Sequence, residues 1–321
     1  MKIVISAAAV ACAFATGAAQ PAAYPDKPIR MLVGFAPGGG TDTTARAIAQ
    51  PLSEALRQQV IVDNRPGAAG NIATDIASKS PPDGYTILMG TIAALAINPS
   101  LYAKLPFDPL RDFEPVTLAV SSTNVLVVHP SLPVKNVKEL IALARSQPGK
   151  LTYGSSGVGG AGHLAGVLFD QLAGTKMVHV PYKGGAPAMI ALVGGEVQLV
   201  FATAETAVPQ IKAGKIRALG VTIAKRTALL PDLPTIAESG LPGYEANNWY
   251  GVLAPAKTPR AIVERLNREI VRILNTQSVK DMLFKQGLDA SPSTPQEFSA
   301  YIKSEIAKWA KVVKASGAKA E

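Results

Sequence analysis

Cysteine is almost missing from this chain of 321 residues. The single one, Cys12, leaves no partner for a disulfide and no thiol pair for redox or zinc chemistry. Histidine is nearly as scarce. His129, His163 and His179 stand far apart, without the close spacing of a metal-binding helix, so no metal and no cofactor are expected. Aromatic residues make up 6%, too few for the stacking platforms of a single-strand nucleic-acid binder. The formal charge is +9, but the lysines and arginines are scattered and form no stripe. That pattern argues against a nucleic-acid partner and for solubility, with a weak field that draws in acidic ligands. No apolar stretch is long enough to cross a membrane. The N-terminal run is too short, and charge, proline or glycine interrupts every later one.

The N-terminus is distinctive in what it does contain. Lys2 is followed by an apolar run, Ile3 to Ala15, and then by Thr16-Gly17-Ala18-Ala19. This reads as a secretory signal peptide over residues 1–19, with Gly17 and Ala19 fitting the small-residue cleavage rule. The proline-rich stretch Pro21–Pro28 follows as a linker. Cleavage after Ala19 would remove Cys12. A rival reading makes Cys12 a lipid anchor, and the preceding Ala9-Val10-Ala11 fits the usual leucine-led pattern poorly.

Strand and helix patterns alternate through the rest, which predicts an α/β protein with mainly parallel strands. Strands are expected at Ile29–Val33, Val60–Val62, Thr86–Met89, Val125–Val128, Leu151–Tyr153, Met177–Val180, Val197–Phe201 and Ala218–Thr222. Helices are expected at Val137–Arg145, Leu164–Leu172, Ala186–Val193, Pro259–Thr276 and Pro295–Val313. The last two each open on Thr-Pro, a cap residue followed by proline at the first helical position. A helix over Thr41–Leu56 contains Pro51, where a kink or break is expected.

Two glycine-rich turns carry the chemistry. Phe35-Ala36-Pro37-Gly38-Gly39-Gly40-Thr41-Asp42 joins a strand to a helix start, and so does Tyr153-Gly154-Ser155-Ser156-Gly157-Val158-Gly159-Gly160-Ala161-Gly162-His163. Glycine lets backbone approach a ligand, and the first N–H groups of the helix then offer partial positive charge to an anion. Two such turns suggest two domains gripping one anionic ligand.

Neither turn completes an enzymatic signature. Gly157 to Gly162 spells G-x-G-x-x-G, but the next strand ends Val180-Pro181-Tyr182-Lys183 without the acidic residue a dinucleotide ribose needs. A hydrolase elbow fails in both registers, because Val158 and Tyr153 stand where its glycines belong. Ser155 and Ser156 are therefore read as hydrogen-bond donors to an anion. His163 is equally consistent with ligand contact and with local backbone bonding at its helix start. Asp42 either caps its helix or meets a ligand amine or bridging water, and capping or a water-mediated role fits best beside an anion.

Further marks are Tyr24-Pro25-Asp26-Lys27-Pro28-Ile29-Arg30, Ala45-Arg46, Asn64-Arg65-Pro66-Gly67-Ala68-Ala69-Gly70 and Asp83-Gly84-Tyr85-Thr86. To these are added Ile97-Asn98-Pro99-Ser100-Leu101-Tyr102, Pro181-Tyr182-Lys183-Gly184 and Trp249-Tyr250-Gly251-Val252-Leu253-Ala254-Pro255. Together, over nearly all of the mature chain, they resemble the periplasmic solute receptors of tripartite tricarboxylate transport systems, the Bug family. The resemblance implies a two-lobed periplasmic-binding-protein fold of type II-like topology, each lobe a mainly parallel sheet flanked by helices and joined by two hinge strands. It places the protein in the periplasm as a monomer that closes on a small carboxylate and delivers it to membrane transporter subunits. Hinge crossings are expected near Thr123–Leu126 and Val221–Lys225. One lobe would then be residues 24–123 with 226–321, and the other 124–225.

The same resemblance gives the expected ligand-binding set. It comprises Phe35, Ala36, Pro37, Gly39, Gly40, Thr41, Asp42, Thr91, Ile92, Ser155, Ser156, His163, Thr203 and Glu205. Phe35 would wall the cleft, and Thr91, Thr203 and Glu205 would line its far end. Two departures bear on the ligand: residues 92–95 read Ile-Ala-Ala-Leu where relatives often carry polar residues, and Ala202 stands where many have aspartate. Both make the cleft less able to hold an amine, so the expected ligand is a carboxylic acid without an α-amino group, a dicarboxylate or an aromatic acid. The alternatives are a secreted serine hydrolase using Ser156 with His163, and a ligand sensor for a signalling partner.

Overall fold

The computed structural model describes residues 24–316 and 318–320; the expected signal peptide and Cys12 lie outside the described residues. The chain begins β1 (Ile29–Val33), α1 (Gly40–Leu56), β2 (Val60–Asn64), α2 (Asn71–Ser78), β3 (Thr86–Thr91), α3 (Asn98–Leu101) and β4 (Phe113–Ser122). It continues β5 (Asn124–Val128), α4 (Val137–Ser146), β6 (Thr152–Ser155), α5 (Ala161–Ala173), β7 (Val178–Pro181), α6 (Gly185–Val193), β8 (Leu199–Thr203), α7 (Ala204–Lys212) and β9 (Arg217–Val221). It ends β10 (Asn248–Pro255), α8 (Arg260–Leu274), α9 (Gln277–Lys285), β11 (Leu288–Ala290) and α10 (Pro295–Ser316).

These strands form two sheets, ordered β11-β4-β10-β3-β1-β2 and β7-β6-β8-β5-β9. In the first, β1 pairs parallel with β2 and β3, and β10 runs antiparallel between β3 and β4. In the second, β6 pairs parallel with β7 and β8, and β5 runs antiparallel between β8 and β9. Each sheet thus has four strands running one way and one opposed strand inserted among them, with β11 added antiparallel at one edge. This repeated order is the type II-like pattern expected from the sequence.

Helical amphipathicity explains the layers. On α1 the buried positions Ala45, Ile48, Ala49, Leu52 and Leu56 recur at helical spacing and cover the first sheet. The helix runs unbroken through Pro51, whose missing N–H costs one rung without ending it. Beneath the second sheet, Leu164, Phe169, Leu199 and Phe201 share one core with Tyr244.

The chain passes from the first sheet to the second at Thr123. The return is later than Val221–Lys225. Val221 N–H donates to Pro234 O at 2.9 Å, Ile236 N–H to Val221 O at 2.9 Å, and Ala246 N–H to Thr222 O at 2.9 Å. Tyr244 Oη donates to Ala165 O at 2.9 Å. Residues 234–246 therefore stay bonded to the second sheet, and the chain rejoins the first only at Asn248, where β10 starts.

Every residue of β10 is buried. A Cβ on Gly251 would come 2.2 Å from the Phe298 ring, so only glycine lets α10 lie this close to the strand. Beside it, the Glu305 carboxylate accepts from Trp249 Nε1 at 3.1 Å and Trp309 Nε1 at 3.2 Å. Both indoles are fully buried. Glu305→Leu strands two buried N–H donors, and the expected loss of stability is about 2–4 kcal/mol. A urea unfolding midpoint equal to that of the parent protein would contradict this.

Candidate functional site

A small cavity of ≈ 50 Å³ lies between the sheets, lined by both. It sits beyond the C-terminal ends of the parallel strands, where open α/β sheets present their helix starts. From the first sheet come Phe35, Gly39, Gly40, Thr41, Thr91, Ile92, Ala93, Asn248 and Tyr250; from the second come Ser155, Ser156, Ala161, Gly162, Gly185, Ala188, Val200, Phe201, Ala202 and Thr203.

Four helices, α1, α5, α6 and α7, begin at this wall. Their cap residues are Gly39, Gly160, Gly184 and Thr203, and none makes a side-chain capping hydrogen bond. The first N–H groups of each helix lack an intrahelical partner, and here no cap side chain takes them. No charged side chain among the described residues lines the cavity. Helix-start dipoles supply partial positive charge at this wall, an arrangement suited to an anion without a fixed counter-charge.

The first glycine turn is shaped by Asp42. Its carboxylate accepts from Gly38 N–H at 3.0 Å, Arg46 Nε at 3.0 and 3.1 Å, and Asn64 Nδ2 at 3.0 Å. Burial works against the charge, but the hydrogen bonds from Arg46, Gly38 and Asn64 and the Arg46 charge outweigh it and hold the carboxyl below its ordinary range. Asp42 is therefore a local brace, reaching back across the turn, and it does not line the cavity.

The second turn rests on a ring stack. Ser155 Oγ lies 2.6 Å from His179 Nε2, and the His179 ring stacks on His163 at 4.0 Å between centroids. Tyr153 flanks His179 at 5.0 Å. His163 Nδ1 accepts the Gly159 N–H at 3.0 Å, which places it in the turn's own scaffold and outside the cavity lining. Burial lowers the pKa of His163 to about 4; burial and the neighbouring His163 lower His179 to about 3. Both rings are neutral near pH 7. Ser156 lines the cavity but hydrogen-bonds neither ring. No carboxylate among the described residues bonds His163 or His179, so the hydrolase pairing of Ser156 with His163 is not assembled.

Glu205 differs from expectation. It does not line the cavity; its Oε2 accepts from Ser122 Oγ at 3.1 Å and its Oε1 from Tyr250 Oη at 3.2 Å. Ala36 and Pro37 also stand outside the lining, and Ala36 N–H instead reaches across to Lys183 O at 3.3 Å. Of the expected residues the cavity brings together Phe35, Gly39, Gly40, Thr41, Thr91, Ile92, Ser155, Ser156 and Thr203. Thr91 Oγ1 is buried without a hydrogen-bond partner in the protein. Sequence reasoning missed Asn248, Tyr250, Gly185 and the His179 support. Tyr250 lies within the Trp249–Pro255 motif, and Gly184-Gly185 before α6 is a third glycine turn of the same kind.

The cleft is shut. Besides Ala36–Lys183, Tyr102 Oη donates to Val158 O at 3.4 Å between the two sheets. Closest of all is Gly40, where a Cβ would fall 1.4 Å from Glu205 Oε1.

The profile of the family described as "Tripartite tricarboxylate transporter family receptor" matches residues 44–318. Among solved structures, R. palustris Rpa4515 with adipate is 41% identical, with a TM-score of 0.90, covering 92% of this chain and 98% of that one. The periplasmic binding protein BugD is 34% identical, with a TM-score of 0.89, covering 93% and 100%. MatC (Rpa3494) from Rhodopseudomonas palustris with bound malate is 31% identical, with a TM-score of 0.87, covering 90% and 100%.

Gly40→Ala must either displace Glu205 from Ser122 and Tyr250 or hold the sheets apart. Overpacking of this kind costs about 1–3 kcal/mol, a shift of about fivefold to 150-fold in the open–closed balance. Small-angle scattering of the variant should show a larger radius of gyration with unchanged circular dichroism. An unchanged radius would show that this contact does not limit closure.

Proposed function

The chain belongs to the tripartite tricarboxylate transporter receptor family, a family of solute-binding proteins and not enzymes, and on that premise we propose that it captures one small carboxylic acid and presents it to membrane transporter subunits. The observation that carries this reading is the convergence of four helix starts, without capping side chains, on a cavity that lacks any charged side chain. Such a site binds an anion and releases it again, because no salt bridge has to be broken. Relatives with adipate and with malate support the carboxylate class. Export by the N-terminal signal would place the protein in the periplasm, as a monomer.

In this reading the ligand carboxylate is held by backbone N–H groups at Gly39–Thr41 and by Ser155 and Ser156, with bridging water where reach is short. Asp42 shapes the turn from behind. Thr91, whose hydroxyl has no other partner, takes a second polar group of the ligand. Phe35, Ile92, Ala93, Phe201 and Ala202 supply apolar walls. An α-amino group would find no acceptor of opposite charge, since Asp42 is engaged with Arg46 and Asn64, and Glu205 with Ser122 and Tyr250. A cavity of ≈ 50 Å³ suits a small acid, because one water occupies about 10–15 Å³ on the same measure. The two lobes, residues 24–122 with 248–320 and residues 124–246, close on it, and ligand contacts from both favour the closed state.

The test is a thermal-shift and calorimetric screen of the mature protein against adipate, malate, benzoate, alanine and glutamate. Ligand at a hundredfold its Kd stabilises by about 2.7 kcal/mol, so an acid lacking the amine should raise Tm and be recovered unchanged. Ser156→Ala should weaken that acid by roughly threefold to tenfold. Tight binding of alanine or glutamate, or no shift with any acid, would sink the proposal.

A further inference from the structure

Glu205 sits where a carboxylate receptor would least be expected to keep a carboxylate. It lies buried in the first turn of α7, with its Oε1 against the Cα of Gly40 at the start of α1. Tyr250, which lines the cavity, hydrogen-bonds that same oxygen. Tyr250, Gly40 and Thr203 therefore stand between the carboxyl and the ligand space.

Every group facing it is neutral. Ser122 approaches from β4, Tyr250 from β10, Gly40 from α1 and Thr203 from the end of β8; its own backbone N–H and the Thr203 hydroxyl complete the shell. No lysine, arginine or histidine is among them. Among the described residues Tyr250 is the only other titratable group there, and burial together with the Glu205 charge keeps its phenol protonated. Burial alone lifts the Glu205 carboxyl to about 7, against the pull of these hydrogen bonds.

We propose that Glu205 is a proton-binding site coupled to the ligand: an anionic acid entering the cavity draws one proton from solvent onto the Glu205 carboxyl. The inference rests on the carboxylate-receptor reading. Two like charges in neighbouring buried sites cannot both persist cheaply, and the Glu205 carboxyl, surrounded by neutral partners, is the one placed to take a proton. The shell tolerates either state. Ser122 and Tyr250 hydroxyls donate to the carboxylate, and the Ser122 hydroxyl keeps a lone pair for a carboxyl O–H, whereas Asn248 and Thr41 already donate to the Tyr250 oxygen. Asn248 Nδ2 already donates to Tyr250 Oη at 3.0 Å, which holds the phenol in place in both states.

The sign follows directly. The loaded, closed protein holds the proton more tightly than the open one, so binding takes up a proton. Affinity is full at pH values below the open-state pKa and declines as pH rises through the closed-state value, by up to tenfold per pH unit for one proton.

The experiment is calorimetry of the mature protein with adipate, malate and benzoate from about pH 6.5 to about 8.5, where ordinary carboxylic acids stay ionised. Repeating each titration in phosphate and in Tris counts protons from the difference in heat. The wild-type protein should take up a fraction of a proton, approaching one, and lose affinity as pH rises. Glu205→Gln should bind with no proton uptake and a flat pH profile, which separates Glu205 from His163 and His179. An infrared difference spectrum of the wild type should gain a protonated-carboxyl C=O band on binding, a readout that survives if the variant does not fold. Binding without proton uptake or the new band, or uptake that persists in Glu205→Gln, overturns this inference while leaving the receptor reading intact. No binding of any of the three acids overturns the receptor reading and this inference with it.

Discussion

Four helices start at one enclosed point, and their leading N–H groups must be satisfied there or exact a penalty. This constraint orders much of the architecture. Helix starts can converge only if they follow parallel strands whose ends face a common gap, which is what the four like-directed strands of each sheet provide. Each cap position then needs a residue that does not consume the donors. Glycine at three of the four caps meets that need, and Thr203 at the fourth makes no capping bond, although the Glu205 carboxylate accepts its own first-turn N–H there.

The inserted strands give the two sheets their mechanical relation. β10 reaches the first sheet from the second, and β5 reaches the second from the first, and each takes a place among the parallel strands. The crossings are therefore tied into both sheets. Around them, Thr222 N–H donates to Asn124 O at 2.9 Å, and Ala204 N–H donates to Thr123 O at 2.8 Å. Contacts far from this pivot, such as Ala36 with Lys183, depend on closure, whereas the strand ladders do not.

Much of this was legible because it is local. A strand, a run of glycines and an amphipathic helix follow one another in sequence, so the turns before α1 and α5 could be read directly. Less regular elements were harder. β4 carries Pro115 and β10 carries Gly251, and neither alternates, since β10 is buried on both faces. Hence the return crossing lies later than the sequence predicts, after the segment that still bonds to β9. Candidates chosen by residue type fared unevenly. Asp42, His163 and Glu205 have the right chemistry near the right turns, but their polar atoms are already taken by Gly38 and Arg46, by Gly159, and by Ser122 and Tyr250. The pairings of Ser155 with His179 and of Glu205 with Tyr250 join residues remote in sequence, and no local pattern announces them.

If an acid is held by main-chain groups, as proposed above, that choice has an evolutionary side. Any amino acid except proline supplies an amide N–H, so exchanging Ile92, Ala93, Ala188 or Ala202 for larger or more polar residues reshapes the cavity without deleting its electrostatic attraction for acids. Shape selectivity and charge recognition reside in different atoms and can drift independently. A gene duplicate of such a protein could acquire a new acid by a few side-chain replacements, with each intermediate still a functional anion trap.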